Sequence, residues 1–370
     1  MKNNNADKKT IFLTGGGSAG HVVPNLLLLP RLLADGWDVH YLGSRSGIEA
    51  ELAGRRGDIT YHAISTGKLR RYFSMKNFTD IFRIFAGVAQ SAALTAKIRP
   101  SVIFSKGGFV SAPVIIGGWL LGTPSIIHES DLTQGLANKI CMPFASAVCL
   151  TFRKTIDMMR PRWKKKAVYT GAPIRPELFE GDESEGLRIC GFNKDKPVLL
   201  AIGGSLGSES LNSVVRSTLP ELLENWQVAH ICGKGRADAS HSGVEGYKQF
   251  EYVSRELAHI YKISRVAVSR AGSNTIFELL SLKIPSVLIP LPRSSSRGDQ
   301  LLNAAEFERA GYSVKLEEAA ARESGALAGA LSTLCENYGQ YADAMEHANA
   351  DAPDSAGLIL KLIYGAAKIW

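Results

Sequence analysis

Cysteine is scarce and unpaired in this sequence. Its 370 residues hold five, Cys141, Cys149, Cys190, Cys232 and Cys335, and no two form a CxxC pair. An odd count leaves one thiol over in any disulfide scheme, so reduced, buried thiols of a cytoplasmic protein are expected. No HxxxH spacing lies near an acid and no Asp-x-Asp pair occurs, so no metal cage is visible and no metal or cofactor is expected. A GxxxxGKS or GxxxxGKT loop is missing too, which leaves a P-loop ATPase without support. Unbroken hydrophobic runs are equally rare. The uncharged stretch from Val110 to Ile127 has the length of a membrane span, but Pro113, Gly117, Gly118, Gly122 and Pro124 interrupt it. A strand, a loop and a short helix are expected there instead. The polar opening MKNNNADKKT, followed by an apolar stretch that soon breaks at a glycine cluster, does not have the layout of a secretory signal.

The rest of the composition is that of a folded globular protein. Apolar residues make up 45% and charged residues 21%, which removes the disordered, collagen-like and coiled-coil classes. The length suits two domains better than one core. The formal net charge of +8 is unevenly spread: residues 1–172 carry 23 cations against 10 acids, and residues 173–370 carry 20 against 25. That asymmetry points to an anionic partner for the first half, either nucleic acid or an anionic membrane surface.

Short buried strands alternate with helix-length segments. Thr10–Thr14 reads as a strand, a glycine cluster follows, and the apolar run from Val22 to Leu33 continues as helix to Gly36. DVHYLG, SVIFSKGGF, SIIHES and AVCLTF repeat the strand pattern. From Lys196 the programme restarts with KPVLLAIGGSLG, VAHICGKG, RVAVSRAGSN and PSVLIPLP. An α/β fold of two doubly wound parallel-sheet units in tandem is predicted, with the boundary in the charged, proline-bearing segment from Tyr169 to Lys196. The domains are assigned to residues 1–172 and 173–354. An apolar helix over 355–370 follows, and its own residues do not say which unit it packs on.

Three glycine-bearing turns carry the candidate chemistry. Gly15 to Gly20 stand at a strand-to-helix turn, where the backbone can approach a ligand and free N–H groups favour negative charge. Their spacing satisfies a dinucleotide fingerprint, but an NAD site wants an acid at the end of the second strand. That strand ends Tyr41-Leu42-Gly43-Ser44-Arg45; Arg45 leaves an NADP-dependent oxidoreductase as an alternative. The second turn, Gly203 to Gly207, offers Ser205 to a phosphate. The third, Ser269 to Thr275, leads into a helix carrying Glu278. With Ser273 as the cap, Glu278 lies just past the first turn, where a carboxylate can reach a ribose diol. His21 beside the first loop, and His128 with Glu129 at a strand end, are candidate bases, because strand ends of open parallel sheets face the ligand crevice. The segment from Lys68 to Phe85 mixes cations with apolar side chains at helical spacing (Phe78, Ile81, Phe82, Phe85), which suits a peripheral bilayer contact. Nucleic-acid binding would use the same charges, but no fold motif supports it.

Taken together, the motifs TGGGSAGHVVPN, FSKGGFVSAP, HESDLTQGLANK, TGAPIR, GGSLGSESLN, SRAGSNTIFELL and GDQLLNA resemble the MurG glycosyltransferases, in order and over nearly the whole chain. The resemblance implies the GT-B architecture, two Rossmann-like domains facing across a cleft, with the C-terminal helix returning to the first. It implies transfer of N-acetylglucosamine from UDP-N-acetylglucosamine to the C4 hydroxyl of membrane-held lipid I, making lipid II for peptidoglycan, and with it a role in cell shape and division. The first domain would hold the acceptor and the membrane, and the second the UDP-sugar. Position by position, Ser18, Ala19 and Gly20 would line the sugar and diphosphate side of the site. Arg175, Ser205, Ser273, Asn274, Thr275 and Gln300 would contact the donor, the backbone near Val253 would meet the uracil, and Glu278 would take the ribose. His21 would be the base, with His128 and Glu129 as alternates. Asp131 and Asp299 depart from the asparagine and glutamine common in the family. The location implied is the cytoplasmic face of the cell membrane, with other cell-wall synthesis proteins as candidate partners. Another GT-B enzyme with a different sugar nucleotide or glycolipid acceptor is the nearer alternative.

Overall fold

The computed structural model describes residues 9–67, 75–204 and 207–367, with side chains from Asp80 onward in the helix that begins at Met75. Ser205 and the segment from Lys68 to Phe73 lie outside the described residues, as does the side chain of Phe78. The chain divides into two compact units: one runs up to Pro173 and takes in the residues from Pro353 onward, and the other is Ile174–Ala352.

The first unit is built on seven strands: β1 (Thr10–Thr14), β2 (Asp38–Gly43), β3 (Thr60–Ala63), β4 (Val102–Ser105), β5 (Ser125–Glu129), β6 (Ala147–Leu150) and β7 (Ala167–Tyr169). They lie in the order β3-β2-β1-β4-β5-β6-β7, every pairing parallel. The central strands are buried along their whole length, as sequences such as TIFLT, VIFS and SIIHE require in a sheet covered on both faces. The stretch from Val110 to Ile127 supplies the helix Ser111–Leu120 and most of β5.

The second unit repeats the plan with β8 (Val198–Ile202), β9 (Gln227–Ile231), β10 (Tyr247–Phe250), β11 (Ser264–Ser269), β12 (Ser286–Leu288) and β13 (Ser313–Lys315) in the order β10-β9-β8-β11-β12-β13. All of these pairings are parallel as well. The four short strands that sequence patterning passed over, β3, β7, β10 and β13, are the outermost of their sheets, where partial exposure erases the continuous apolar signal.

Apolar clusters cover both faces of each sheet. In the first unit, Ile11, Leu13, Val39 and Phe104 form one cluster, and Phe12, Ile103, Ile127 and Val148 form the other. The C-terminal helix Ser355–Ala367 joins the former through Ile359 and Ile363, both fully buried and each contributing about 2 kcal/mol of apolar burial. Tyr364 stacks on Trp37 at 5.5 Å and donates to Asp35 at 2.6 Å, and Ser355 Oγ donates to the Gly171 carbonyl at 3.1 Å.

In each sheet the chain leaves the first strand toward one edge and returns on the other side of it, between β1 and β4 and between β8 and β11. Beyond the carboxyl ends of such strand pairs the diverging connections open a crevice, the usual ligand position of doubly wound sheets.

Candidate functional site

The first glycine loop leaves β1 and enters the 3-10 turn Ala19–His21, with Ser18 as its extended cap. Gly17 has φ +88°, and a Cβ there would lie 2.8 Å from the Phe109 ring, so only glycine fits. The loop is held from below by a carboxylate that sequence reasoning missed. Glu49, fully buried in the helix Ile48–Leu52, accepts from Gly17 N at 3.1 Å, Ser44 N at 3.2 Å and Ser44 Oγ at 2.5 Å. An acid does follow the second strand, but it faces the protein's own backbone. A backbone N–H that the dinucleotide reading needs for a pyrophosphate is thereby occupied, and the oxidoreductase alternative loses its main support. Ser18, Ala19, Gly20 and His21 are all partly exposed around this loop.

His21 Nδ1 lies 3.0 Å from the carbonyl of Lys106, the residue that follows β4. A carbonyl only accepts, so Nδ1 carries the proton and Nε2 is the basic nitrogen. The Lys106 side chain runs inward and is fully buried. Its Nζ reaches His128 Nδ1 at 2.7 Å and Ser130 Oγ at 2.8 Å, and burial pulls its pKa down to about 7. His128, at the end of β5, is also fully buried; burial first and the neighbouring ammonium second push its pKa well below the ordinary imidazole value. Glu129, buried beside it, accepts from Asp131 N at 3.1 Å, Gly135 N at 2.7 Å and Asn138 Nδ2 at 2.9 Å, which closes the loop after β5. Of the three candidate bases, His21 alone is partly exposed.

In the second unit the loop after β8 ends at Gly207, whose φ is +70° and whose absent Cβ would lie 2.2 Å from the Cys232 carbonyl. Ser208 caps the following helix Glu209–Ser217, and Ser205 is outside the described residues. Arg270, the residue after β11, is 3% exposed and ties this loop down. Its Nε donates to Ser208 Oγ at 2.9 Å, its Nη1 to the Ile289 carbonyl at 2.9 Å, and its Nη2 pairs with Glu318 at 2.6 Å. Lys106 and Arg270 thus occupy the same topological position, each after the serine that ends the fourth strand of its sheet. A signal was available in the matching stretches Ser105-Lys106-Gly107-Gly108 and Ser269-Arg270-Ala271-Gly272.

The third turn corrects a local expectation: Gly272, not Ser273, caps the helix Ser273–Ser281, without any side-chain capping bond. Ser273 is buried, and Asn274 and Thr275 are partly exposed in the first turn. Further along that helix, Glu278 accepts from Arg175 Nη2 at 3.0 Å through one oxygen and from Tyr261 OH at 3.0 Å through the other. Both partners come from other elements: Arg175 precedes the turn Pro176–Phe179, and Tyr261 lies on Glu256–Ile263. Tyr261 is fully buried, and burial followed by the Glu278 charge raises its hydroxyl well above the ordinary tyrosine range. Spacing along the chain gives no hint of Tyr261. Gln300 accepts from Leu291 N at 3.1 Å, and its Nε2 lies 4.0 Å from where a Cβ on Gly272 would stand. Gln300 therefore belongs with the third turn. Val253 is buried in the apolar cluster under β8 and β9.

Comparison with known proteins gives consistent matches. Residues 11–150 match the model of the glycosyltransferase family 28 N-terminal domain, and residues 198–358 match that of the family 28 C-terminal domain. A Geobacillus thermodenitrificans protein named UDP-N-acetylglucosamine--N-acetylmuramyl-(pentapeptide) pyrophosphoryl-undecaprenol N-acetylglucosamine transferase is 51% identical over 98% of this chain and 100% of its own length. A Clostridium tetani protein of the same name is 51% identical over 84% of this chain and 86% of its own. Among solved structures, MurG of Acinetobacter baumannii shares 21% identity with a TM-score of 0.74, covering 97% of this chain and 100% of that one. A glycosyltransferase from Rickettsia africae shares 12% identity with a TM-score of 0.66, covering 98% and 99%.

Proposed function

The chain belongs to glycosyltransferase family 28, and on that premise we propose that it transfers N-acetylglucosamine from UDP-N-acetylglucosamine to the C4 hydroxyl of lipid I, making lipid II. The observation that carries this reading is the 51% identity to the Geobacillus transferase of that name, end to end over both chains.

The reaction is a single inverting displacement. The C4 oxygen of the acceptor's N-acetylmuramoyl unit bonds to C1 of the donor sugar as the bond from C1 to the diphosphate oxygen breaks and UDP departs. The hydroxyl proton goes to His21 Nε2, whose basic character follows from the anchored Nδ1 proton. Glu278 takes the ribose hydroxyls, preset by Arg175 and Tyr261. Arg175 keeps donor capacity for the developing diphosphate charge: its Nε is buried with no partner among the described residues. Within the second unit, the backbone N–H groups at the start of Ser273–Ser281, with Asn274 and Thr275, supply further contacts to the phosphates, and Gln300 and the backbone near Val253 complete the donor side; in the first unit, Ser18, Ala19 and Gly20 are partly exposed beside His21.

The acceptor is a lipid, and the first unit is the side that meets the cytoplasmic face of the membrane. In the helix Met75–Ile98, small and polar residues face inward: Asp80, Gly87, Ser91 and Thr95 are buried. Ile81, Phe82 and Phe85 are 42%, 63% and 68% exposed. Trp119, Leu120 and Leu121, at the end of the neighbouring helix, are exposed too. A helix with its large apolar side chains outward, in the half of the chain that carries the excess of cations, suits insertion at an anionic lipid surface.

The test supplies UDP-N-acetylglucosamine and a soluble lipid I analogue and follows UDP release, with UDP-N-acetylgalactosamine as the control donor. Acceptor-dependent release from the first donor and little from the second is expected. Equal turnover of both donors, or none with this acceptor, would overturn the assignment.

A further inference from the structure

Lys106 is a fully buried amine to which the reaction as written gives no role. It lies beneath the first glycine loop: its backbone N donates to the Thr14 carbonyl at 3.0 Å, and a Cβ on Gly15 would lie 3.3 Å from its own Cβ. Burying a lysine with no carboxylate in contact among the described residues is costly, even with the charge of Glu129 near by, so the position asks for a reason. Its two polar ends meet two different histidines, the carbonyl His21 and the amine His128.

We propose that Lys106 is a positioning residue that holds the two histidines in opposite tautomers, keeping His21 as the base and making His128 a hydrogen-bond donor that cannot take its place. The carbonyl requires a proton on His21 Nδ1. The amine, charged or neutral, has enough N–H bonds to donate to both of its contacts, His128 Nδ1 and Ser130 Oγ. With Nδ1 accepting, the His128 proton sits on Nε2. That nitrogen is buried without a hydrogen-bond partner among the described residues, so the contact with the amine sets the tautomer. Around the amine stand His128, Glu129 and Asp131 from β5 and the loop after it, Cys149 from β6, and His21 from the first loop. The catalytic consequence rests on the transferase reading; the tautomers do not.

The experiment records long-range proton–nitrogen NMR of histidine side chains in the full-length protein, from about pH 6 to pH 9. The His128 ring is expected as one neutral species protonated at Nε2 throughout, and His21 protonated at Nδ1 when neutral. Lys106→Met should convert His128 to a mixture of tautomers. A His128 ring protonated at Nδ1 in the unaltered protein would overturn the proposal, and that spectrum decides even where Lys106→Met does not fold. A tautomer indifferent to Lys106→Met would overturn it as well. Absence of transfer by the unaltered protein would count against the transferase reading and leave the tautomer result standing.

Discussion

Glu278 is held by two hydrogen bonds from different elements, and its carboxylate keeps lone pairs for a ligand diol. Glu278→Ala is expected to raise KM for UDP-N-acetylglucosamine on the order of tenfold to hundredfold, the range for losing hydrogen bonds to a charged acceptor. It also strands Arg175 and Tyr261, so the melting temperature should fall modestly. Tyr261→Phe separates the two effects, since it removes one donor and leaves the carboxylate; its KM should rise less. An unchanged donor KM in Glu278→Ala would remove this residue from the site. The sequence made Glu278 legible because a glycine turn and a helix start are local features. Tyr261, Glu49 and Arg270 were not, because each acts across a gap in the chain that no spacing rule spans.

The helix Met75–Ile98 owes its inverted character to how closely it packs on Ser111–Leu120. A Cβ on Gly87 would come within 3.1 Å of Pro113, and one on Gly117 within 2.8 Å of Ser91. Two glycines on facing helices leave no room for large side chains between them, so Phe82 and Phe85 are turned outward. Replacing both with Asp should weaken binding to anionic liposomes by at least about tenfold, given the apolar burial each would lose, while UDP affinity stays the same. Liposome binding that survives both changes would place the membrane contact elsewhere. The sequence revealed the greasy, basic face by its helical period. Which side that face turns depends on glycines in two helices at once.

For the chain as a whole, buried thiols and phenols set the alkaline limit. Burial pushes Cys141 and Cys149 from 9.0 up to about 12, and Tyr247 from 10.0 to about 12. Their folded values exceed their unfolded ones, so the stability they contribute is intact below about pH 9 and is lost as the pH rises beyond it. Lys106 runs the other way: depressed from 10.5 to about 7, it favours the fold increasingly as the pH climbs through that interval. Several buried acids outweigh one buried base. Thermal melts should therefore rise modestly from about pH 7 to pH 8.5, where Lys106 is the group that binds protons differently in the two states, and fall above pH 9, and Lys106→Met should remove the rise. A melting temperature that climbs through pH 10 would contradict this.

Two parallel sheets, their central strands and the three glycine turns follow from the amino-acid order alone. Strand hydrophobicity, helix period and glycine backbone freedom act over a few residues, and the order of those segments constrains a doubly wound topology. The folded molecule settled the rest: the C-terminal helix joins the apolar cluster on one face of the first sheet, Glu49 closes the first loop, and a buried lysine and a buried arginine stand behind the first and second glycine turns. Those outcomes join residues far apart in the chain through packing and desolvation, and the free energy of such contacts exists only once the sheets have formed.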